Sequence, residues 1–335
     1  MGGALGSTHH HLQGDKMRFN PKARLDTSRT SGGGGGGGFG GGGGGRIPIP
    51  GGKASGGIGT VIVLLIFFLI TQCTGVGPQV LGDGSGGSTS VGTGTFGGLQ
   101  AADSGDTGDF GSCQTGDDAN NDENCAFVAL ENSLTGYWDS QPDLSGRFQP
   151  EQSVVIFADQ VQTGGCGSAS SAVGPFYCPS DQTIYLDPTF FDSIFEQLGG
   201  KDTTFVRAYV LAHEYGHHIQ NLLGTMGQVR TQQGPDSDAV RLELQADCYA
   251  GMWTAAAEND GFVEDITDQD ISEGISAAKT VGDDHIQAKT TGRVDTSQYT
   301  HGSSEQRIAW FQQGMTTPDS IAGCDTFKAR DLDNP

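Results

Sequence analysis

His213, Glu214 and His217 stand in the spacing H-E-x-x-H, inside a run of residues that reads as a helix from about 203 to 223. Positions four apart on an α-helix lie one turn apart on the same face, so the two imidazoles can converge on one metal ion. Glu214, the next residue along, then stands beside the position the metal leaves open, where a carboxylate can take a proton from water. That is the equipment of a zinc-dependent hydrolase. A catalytic zinc takes three protein ligands, and two His with one Glu is a standard set. Glu243 and Asp247 offer the remainder: they begin 26 residues beyond His217, lie four apart in a second helical pattern, and so project from one face. Glu243 is placed to bind the metal, and Asp247 to accept a hydrogen bond from the far nitrogen of a ligand His and fix its tautomer.

Taken together, three stretches carry a family resemblance. They are Ala212-His213-Glu214-Tyr215-Gly216-His217-His218-Ile219-Gln220, then Glu243-Leu244-Gln245-Ala246-Asp247-Cys248-Tyr249-Ala250-Gly251, then Thr300-His301-Gly302-Ser303-Ser304-Glu305-Gln306-Arg307. The first two resemble the gluzincin pattern of thermolysin-like enzymes and of membrane zinc peptidases of the CAAX-protease type. All three resemble the bacterial neutral zinc metallopeptidase family, from the basic N-terminus to about Gly314. The resemblance implies an α+β, zincin-like metallopeptidase domain, mostly helical with a small sheet, in a single-pass membrane protein whose catalytic part is extracytoplasmic. It implies Zn²⁺ held by His213, His217 and Glu243, Glu214 as general base and acid, and a peptide or protein substrate. His301, in the segment that resembles the family's Thr-His-Gly motif, is expected to donate to the oxyanion of a tetrahedral intermediate, to bond Asp247, or to make only a local helix-entry contact. A metzincin would need Gly at 220 and His at 223, where this chain has Gln220 and Leu223. His218 points about 100° away from His217 round the helix, which predicts packing or exposure in place of ligation; His285 is expected to be exposed.

The elements that must position these residues follow from period and punctuation. Asp202 or Thr203 caps the first ligand helix, which ends at Gly224, and a second ligand helix spans about 238–258. Further helices are predicted at 125–134, 188–198, 268–280 and 304–314, the last opened by Ser303-x-x-Gln306 in capping-box spacing. Strands are predicted at 153–158 and 183–186, and the second of these is expected to pair an extended substrate along its edge.

Four zones precede or contain them: a basic, Gly-rich, disordered cytoplasmic segment (1–55), a transmembrane helix (56–75), a flexible acidic tether (76–122), and the metallopeptidase domain (123–335). Residues 31–45 are almost pure glycine, which maximises the entropy lost on ordering. Three His at 9–11 precede a second possible start, Met17, and are left out of the metal site. The strongly apolar run 58–70, within an uncharged stretch, has the length to span a bilayer with its flanks. Seven basic residues (Lys16, Arg18, Lys22, Arg24, Arg29, Arg46, Lys53) lie before it, which the positive-inside rule keeps in the cytoplasm. Of 18 Lys and Arg, 11 then remain beyond the span, and of 40 Asp and Glu, all but Asp15 and Asp26 remain, 38 in number, for a net charge of −27. Such a surface repels polyanions and argues against nucleic acid as a partner. The acidic stretch 117–123 lacks an EF-hand arrangement and is expected to be a solvated loop.

Cys73 lies at the membrane edge; the other six of seven Cys lie beyond the span, as in an oxidising compartment. Six thiols allow 15 pairings; Cys113 with Cys125, Cys166 with Cys178 and Cys248 with Cys324 are the pairs expected here. No C-x-x-C occurs to suggest a thiolate zinc site. Two other functions share these residues: a membrane-tethered binding or scaffold protein that keeps zinc without turnover, and a cell-wall amidase or esterase. Glu214, needed for chemistry alone, favours an enzyme.

Overall fold

A computed structural model describes residues 16–33 and 110–335. In chain order, Arg18–Phe19 (β1) and Thr30–Gly33 (β2) come first, followed by helices Gly116–Asn121 (α1) and Glu123–Asp139 (α2). Five short strands come next: Ser153–Phe157 (β3), Gln160–Gln162 (β4), Ser168–Ser170 (β5), Phe176–Cys178 (β6) and Thr183–Leu186 (β7). The rest is mainly helical: Thr204–Leu223 (α3), Asp238–Ala256 (α4), strand Val263–Asp265 (β8), Asp268–Thr280 (α5), Asp283–Thr290 (α6) and Ser304–Thr316 (α7). The architecture is mixed α+β, with helices packed together and small sheets at their flank.

Local chemistry sets the two ligand helices. Thr203 caps α3 by accepting the Val206 N–H, and Gly224 closes it in the left-handed region at φ 74°. Ser237 caps α4 by accepting from the Val240 N–H. Both helices are buried on most of their surface, and α4 packs between α3 and α7. The α4–α7 crossing depends on glycine at both contact points. A side chain at Gly251 would collide with the Phe311 carbonyl, and one at Gly314 with the Cys248 carbonyl. Ser303 and Gln306 form the expected capping box at the start of α7.

The main sheet has the order β2-β3-β7-β6, with β2, β3 and β7 parallel and β6 antiparallel to β7. β7 is therefore an interior strand, paired on both sides. The expectation that residues 183–186 offer an edge to substrate fails, and β6 holds the edge position next to α3. The Tyr177 hydroxyl on β6 lies 3.0 Å from His218 Nδ1 and takes a hydrogen bond of 2.9 Å from Asn221 Nδ2. One large core runs from Met17 and Phe19 through Trp138, Tyr209, Tyr215 and Trp253 to Leu332. A smaller one, with Phe157, Phe176 and Tyr185, surrounds the Cys166–Cys178 disulfide. All three expected disulfides are present.

Two expectations about boundaries are corrected. Residues 16–33 were expected to be unfolded, yet Met17 and Phe19 are buried, β1 pairs with β8 and β2 extends the main sheet. Composition misled because glycine follows directly and the pairing partners lie more than a hundred residues away. Folded structure also begins before residue 123: Phe110 is buried, Cys113 is bonded to Cys125, and α1 occupies part of the expected tether. The acidic stretch there is structural, with Asp118 in the capping box of α1 and Asp122 capping α2. The helix expected at 188–198 contains a π-helical turn, Phe191–Phe195. Among the described residues no helix is long and apolar enough to cross a membrane; the run 58–70 lies outside them.

Candidate metal centre

One turn of α3 presents His213 and His217 to Glu243 on α4. His213 Nε2 lies 3.1 Å and His217 Nε2 3.6 Å from Glu243 Oε2. All three side chains are buried, and one ligand atom from each lies within 4.8 Å of the others. The far ring nitrogens are occupied. His213 Nδ1 meets Asp247 Oδ1 at 2.9 Å, and His217 Nδ1 meets Gln220 Oε1 at 2.8 Å. With an acceptor on each Nδ1, a proton is held there, and Nε2 of each ring faces the Glu243 carboxylate, where a metal could stand in place of a second proton. This donor set is one that could hold a divalent metal ion.

The acceptors are themselves held. Arg307 on α7 grips Asp247 through Nε to Oδ2 at 2.8 Å and Nη2 to Oδ1 at 2.9 Å, and the Tyr209 hydroxyl donates to Oδ1 at 2.6 Å. Gln220 donates to the Leu242 carbonyl at 2.7 Å, which orients its own oxygen toward His217. Burial works against the charge on Asp247, but the Arg307 guanidinium and His213 hold it at about 2. Burial also works against an ionised Glu243, yet His217 and His213 keep it well below the usual carboxylate range. Burial disfavours a cationic His213, and the Asp247 carboxylate with hydrogen bonds to Asp247 and Glu243 overrides it, pushing His213 up to about 10. Two buried carboxylates here demand positive charge, which a proton supplies when no metal does.

Glu214 faces the same cavity. Burial raises its pKa. The Tyr177 backbone N–H bonds its carboxylate, while Oε2 is buried with no hydrogen-bond partner. A buried carboxylate oxygen left open beside a His-His-Glu cluster fits a group and a water molecule that belong in the site. The cavity, of about 110 Å³, has a polar lining of His213, Glu214, His217, Glu243, His301 and Arg307. Phe190, Leu198, Val210, Val281 and Ile286 are among its apolar lining residues.

His301 reaches this cavity but does not bond Asp247. Its partner is Asp283 at the start of α6: Nδ1 to Oδ1 is 3.2 Å, and the His301 backbone N–H donates to Oδ2 at 2.7 Å. Burial opposes protonation of His301, and the bond to Asp283 outweighs it, so its pKa is raised. His218 is packed: Nε2 sits 2.7 Å from the Gln149 carbonyl, and burial lowers it to about 4. His285, expected to be exposed, is half-buried, with Nε2 2.7 Å from the Leu198 carbonyl. Sequence reasoning did not single out Arg307, Tyr209, Gln220 or Asp283. Gln220 and Tyr209 carried a local signal, since Gln220 follows His217 by three and Tyr209 precedes His213 by four on the same helix.

Fold and side chains thus define a mixed α+β domain with a buried His-His-Glu centre backed by an Asp–Arg pair. The chain belongs to the family described as "Putative neutral zinc metallopeptidase", whose profile matches residues 21–327. It is 47% identical over 228 residues to the uncharacterized protein Rv2575 of Mycobacterium tuberculosis (strain ATCC 25618 / H37Rv), covering 66% of this chain and 76% of the relative. It is 39% identical over 215 residues to the uncharacterized protein YpfJ of Escherichia coli (strain K12), covering 62% and 73%. No solved structure matches the chain.

Proposed function

We propose that this protein is a zinc-dependent peptidase with a zincin-like catalytic domain working outside the cytoplasm. The observation that carries the reading is the convergence of His213, His217 and Glu243 within 4.8 Å beside the unpartnered Oε2 of Glu214. The Nδ1 partners fix the tautomer each imidazole would have as a ligand, and Glu243 stays ionised, so zinc could replace the proton that the buried carboxylates otherwise demand. Zinc there would supply a Lewis acid for the scissile carbonyl and lower the pKa of a water it holds toward about 7.

The chain's own groups do the rest. Glu214 takes the proton of the attacking water on Oε2 and returns it to the leaving amine. A carboxyl raised by burial suits both directions of that transfer. His301, whose protonated form the bond to Asp283 favours, donates a hydrogen bond to the oxygen that becomes negative in the tetrahedral intermediate. The apolar lining residues Phe190, Leu198, Val210, Val281 and Ile286 take an apolar side chain next to the scissile bond and exclude water. The three disulfides favour an oxidising compartment.

The test uses the oxidised protein as wild type, Glu214→Gln and Glu243→Ala, with metal content read by mass spectrometry and cleavage by a peptide library. One zinc per wild-type chain is expected, kept in Glu214→Gln and lost in Glu243→Ala. Cleavage, enriched for apolar residues beside the cut, is expected to fall about 10²–10⁴-fold in Glu214→Gln. A folded wild type that binds no zinc overturns the reading; one that binds zinc and cleaves nothing is a binding protein.

A further inference from the structure

Residues 16–33 are built into the domain along their whole length. Met17 N–H donates to Asp270 Oδ1 at 3.0 Å, in a carboxylate that also closes the capping box of α5. Phe19 exchanges two hydrogen bonds with Asn120, of 2.9 and 2.8 Å. The backbone of Asp26 does the same with Asn132, at 2.7 and 2.9 Å. Leu25 N–H donates to the Gln114 carbonyl at 3.0 Å, and Gly116 N–H to the Ala23 carbonyl at 3.0 Å. Gly116 has no room for a side chain because the Asn20 carbonyl lies against it. Arg29 Nε then pairs with Glu131 at 2.7 Å and lies 4.0 Å from Glu151, both carboxylates fully buried. Beyond it, β2 pairs in register with β3 from Thr30↔Val154 to Gly33↔Phe157.

This arm carries five basic residues against one acidic, and the domain beyond it is strongly acidic. Two of its charges meet the domain: Arg29 at the buried pair, and Arg18 at Glu264 and Asp265, each at 3.8 Å. The family profile begins at residue 21, inside the arm. The apolar run 58–70 separates arm from domain in sequence. A single crossing there would put about 30 Å of hydrocarbon between two halves of one sheet. An arm in the cytoplasm could then form none of these contacts with an extracytoplasmic domain.

We propose that residues 16–33 and the domain from Phe110 onward lie on the same side of the membrane, the basic arm being a component of the catalytic domain and not its cytoplasmic anchor. Two of the positive residues that the positive-inside rule counts, Arg18 and Arg29, act as ion-pair partners of the acidic domain.

Two measurements on the full chain in intact cells test this independently of peptidase activity. One epitope is placed before Lys16 and another after Pro335, and each is probed with a membrane-impermeant protease before and after permeabilisation. Both tags open, or both sealed, is the expected result; one open and one sealed overturns the proposal. In a Cys73→Ser background, Ser31→Cys with Ser153→Cys uses hydroxyls 3.3 Å apart across β2 and β3. A specific cleavage site inserted among the glycines at 36–45 allows the arm to be cut free. After a membrane-permeant oxidant and cleavage, the arm fragment is expected to stay with the domain until reductant is added. Release without reductant, from chains whose native disulfides have formed, overturns docking.

Discussion

Asp247 is the residue on which the geometry of the centre turns, because it orients His213 while Arg307 and Tyr209 hold it. Asp247→Asn or Arg307→Ala should leave all three ligands in place and weaken zinc binding about 10–100-fold. A chelator competition titration checks this; unchanged affinity would mean that packing alone orients His213. The ligands were legible because their spacing is a local property of two helices. Arg307 and Asp283 were not, because their roles arise where α7 and α6 meet distant parts of the chain in space. A second titratable residue, Glu151, behaves oppositely to an ordinary carboxylate: burial, with the Glu131 carboxylate nearby, raises it to about 8. The folded state therefore keeps a proton that the unfolded state releases above about 4.5, so this residue's contribution to stability falls as pH rises from about 4.5 to 8. Chemical denaturation across that range should show the fall, and Glu151→Gln should flatten it. His218, lowered to about 4, acts at the acid end, where stability is lost as pH drops from about 6.5 to 4.

Among elements, the α4–α7 crossing decides whether the ligand carboxylate and its supports meet. α4 brings Glu243 and Asp247, α7 brings Arg307, and Gly251 with Gly314 lets the backbones touch. Gly251→Ala would force the helices apart by part of a methyl radius, at a cost of about 1–3 kcal/mol for overpacking. A lowered Tm with weakened zinc binding is expected; a lowered Tm with normal zinc binding would show that the crossing does not set the centre. The arm is a second such element. Arg29→Ala leaves the buried Glu131 carboxylate without its cation, and about 2–4 kcal/mol is expected, less than for a fully buried pair since Arg29 is 25% exposed. Thermal unfolding reads this, and Glu131→Gln should restore part of the loss. The first ligand helix and α7 could be read from sequence because Thr203, Gly224 and Ser303 punctuate them. The arm, β6 and α6 could not. The arm's strands exist only through distant partners, β6 is three residues long, and α6, Asp283–Thr290, has almost no apolar stripe. Strand preference at such places expresses packing, which a linear pattern does not show.

Across the whole molecule, two kinds of cross-link tie the C-terminal helices to the rest, and they should separate cleanly in unfolding experiments. Cys248–Cys324 joins α4 to the chain beyond α7 over a separation of 76 residues. Removing that constraint frees the unfolded chain and costs about 4 kcal/mol in the chain-entropy view. A metal at His213, His217 and Glu243 joins α3 to α4, and it stabilises the folded state alone, by about 2.7 kcal/mol at a hundredfold excess of free metal over Kd. Thermal unfolding with and without zinc should therefore show a metal-dependent rise in Tm in wild type and in Glu214→Gln, where the base is lost but the ligands remain. Glu243→Ala should show none. The Cys248→Ala, Cys324→Ala double variant should unfold at a lower temperature yet keep the zinc-dependent rise, because the His-His-Glu centre lies on two helices that cap, pack and pair without that disulfide. If the rise disappears with the disulfide, the position of α4 depends on its covalent tie to the C-terminus, and the centre is only as well formed as the compartment is oxidising.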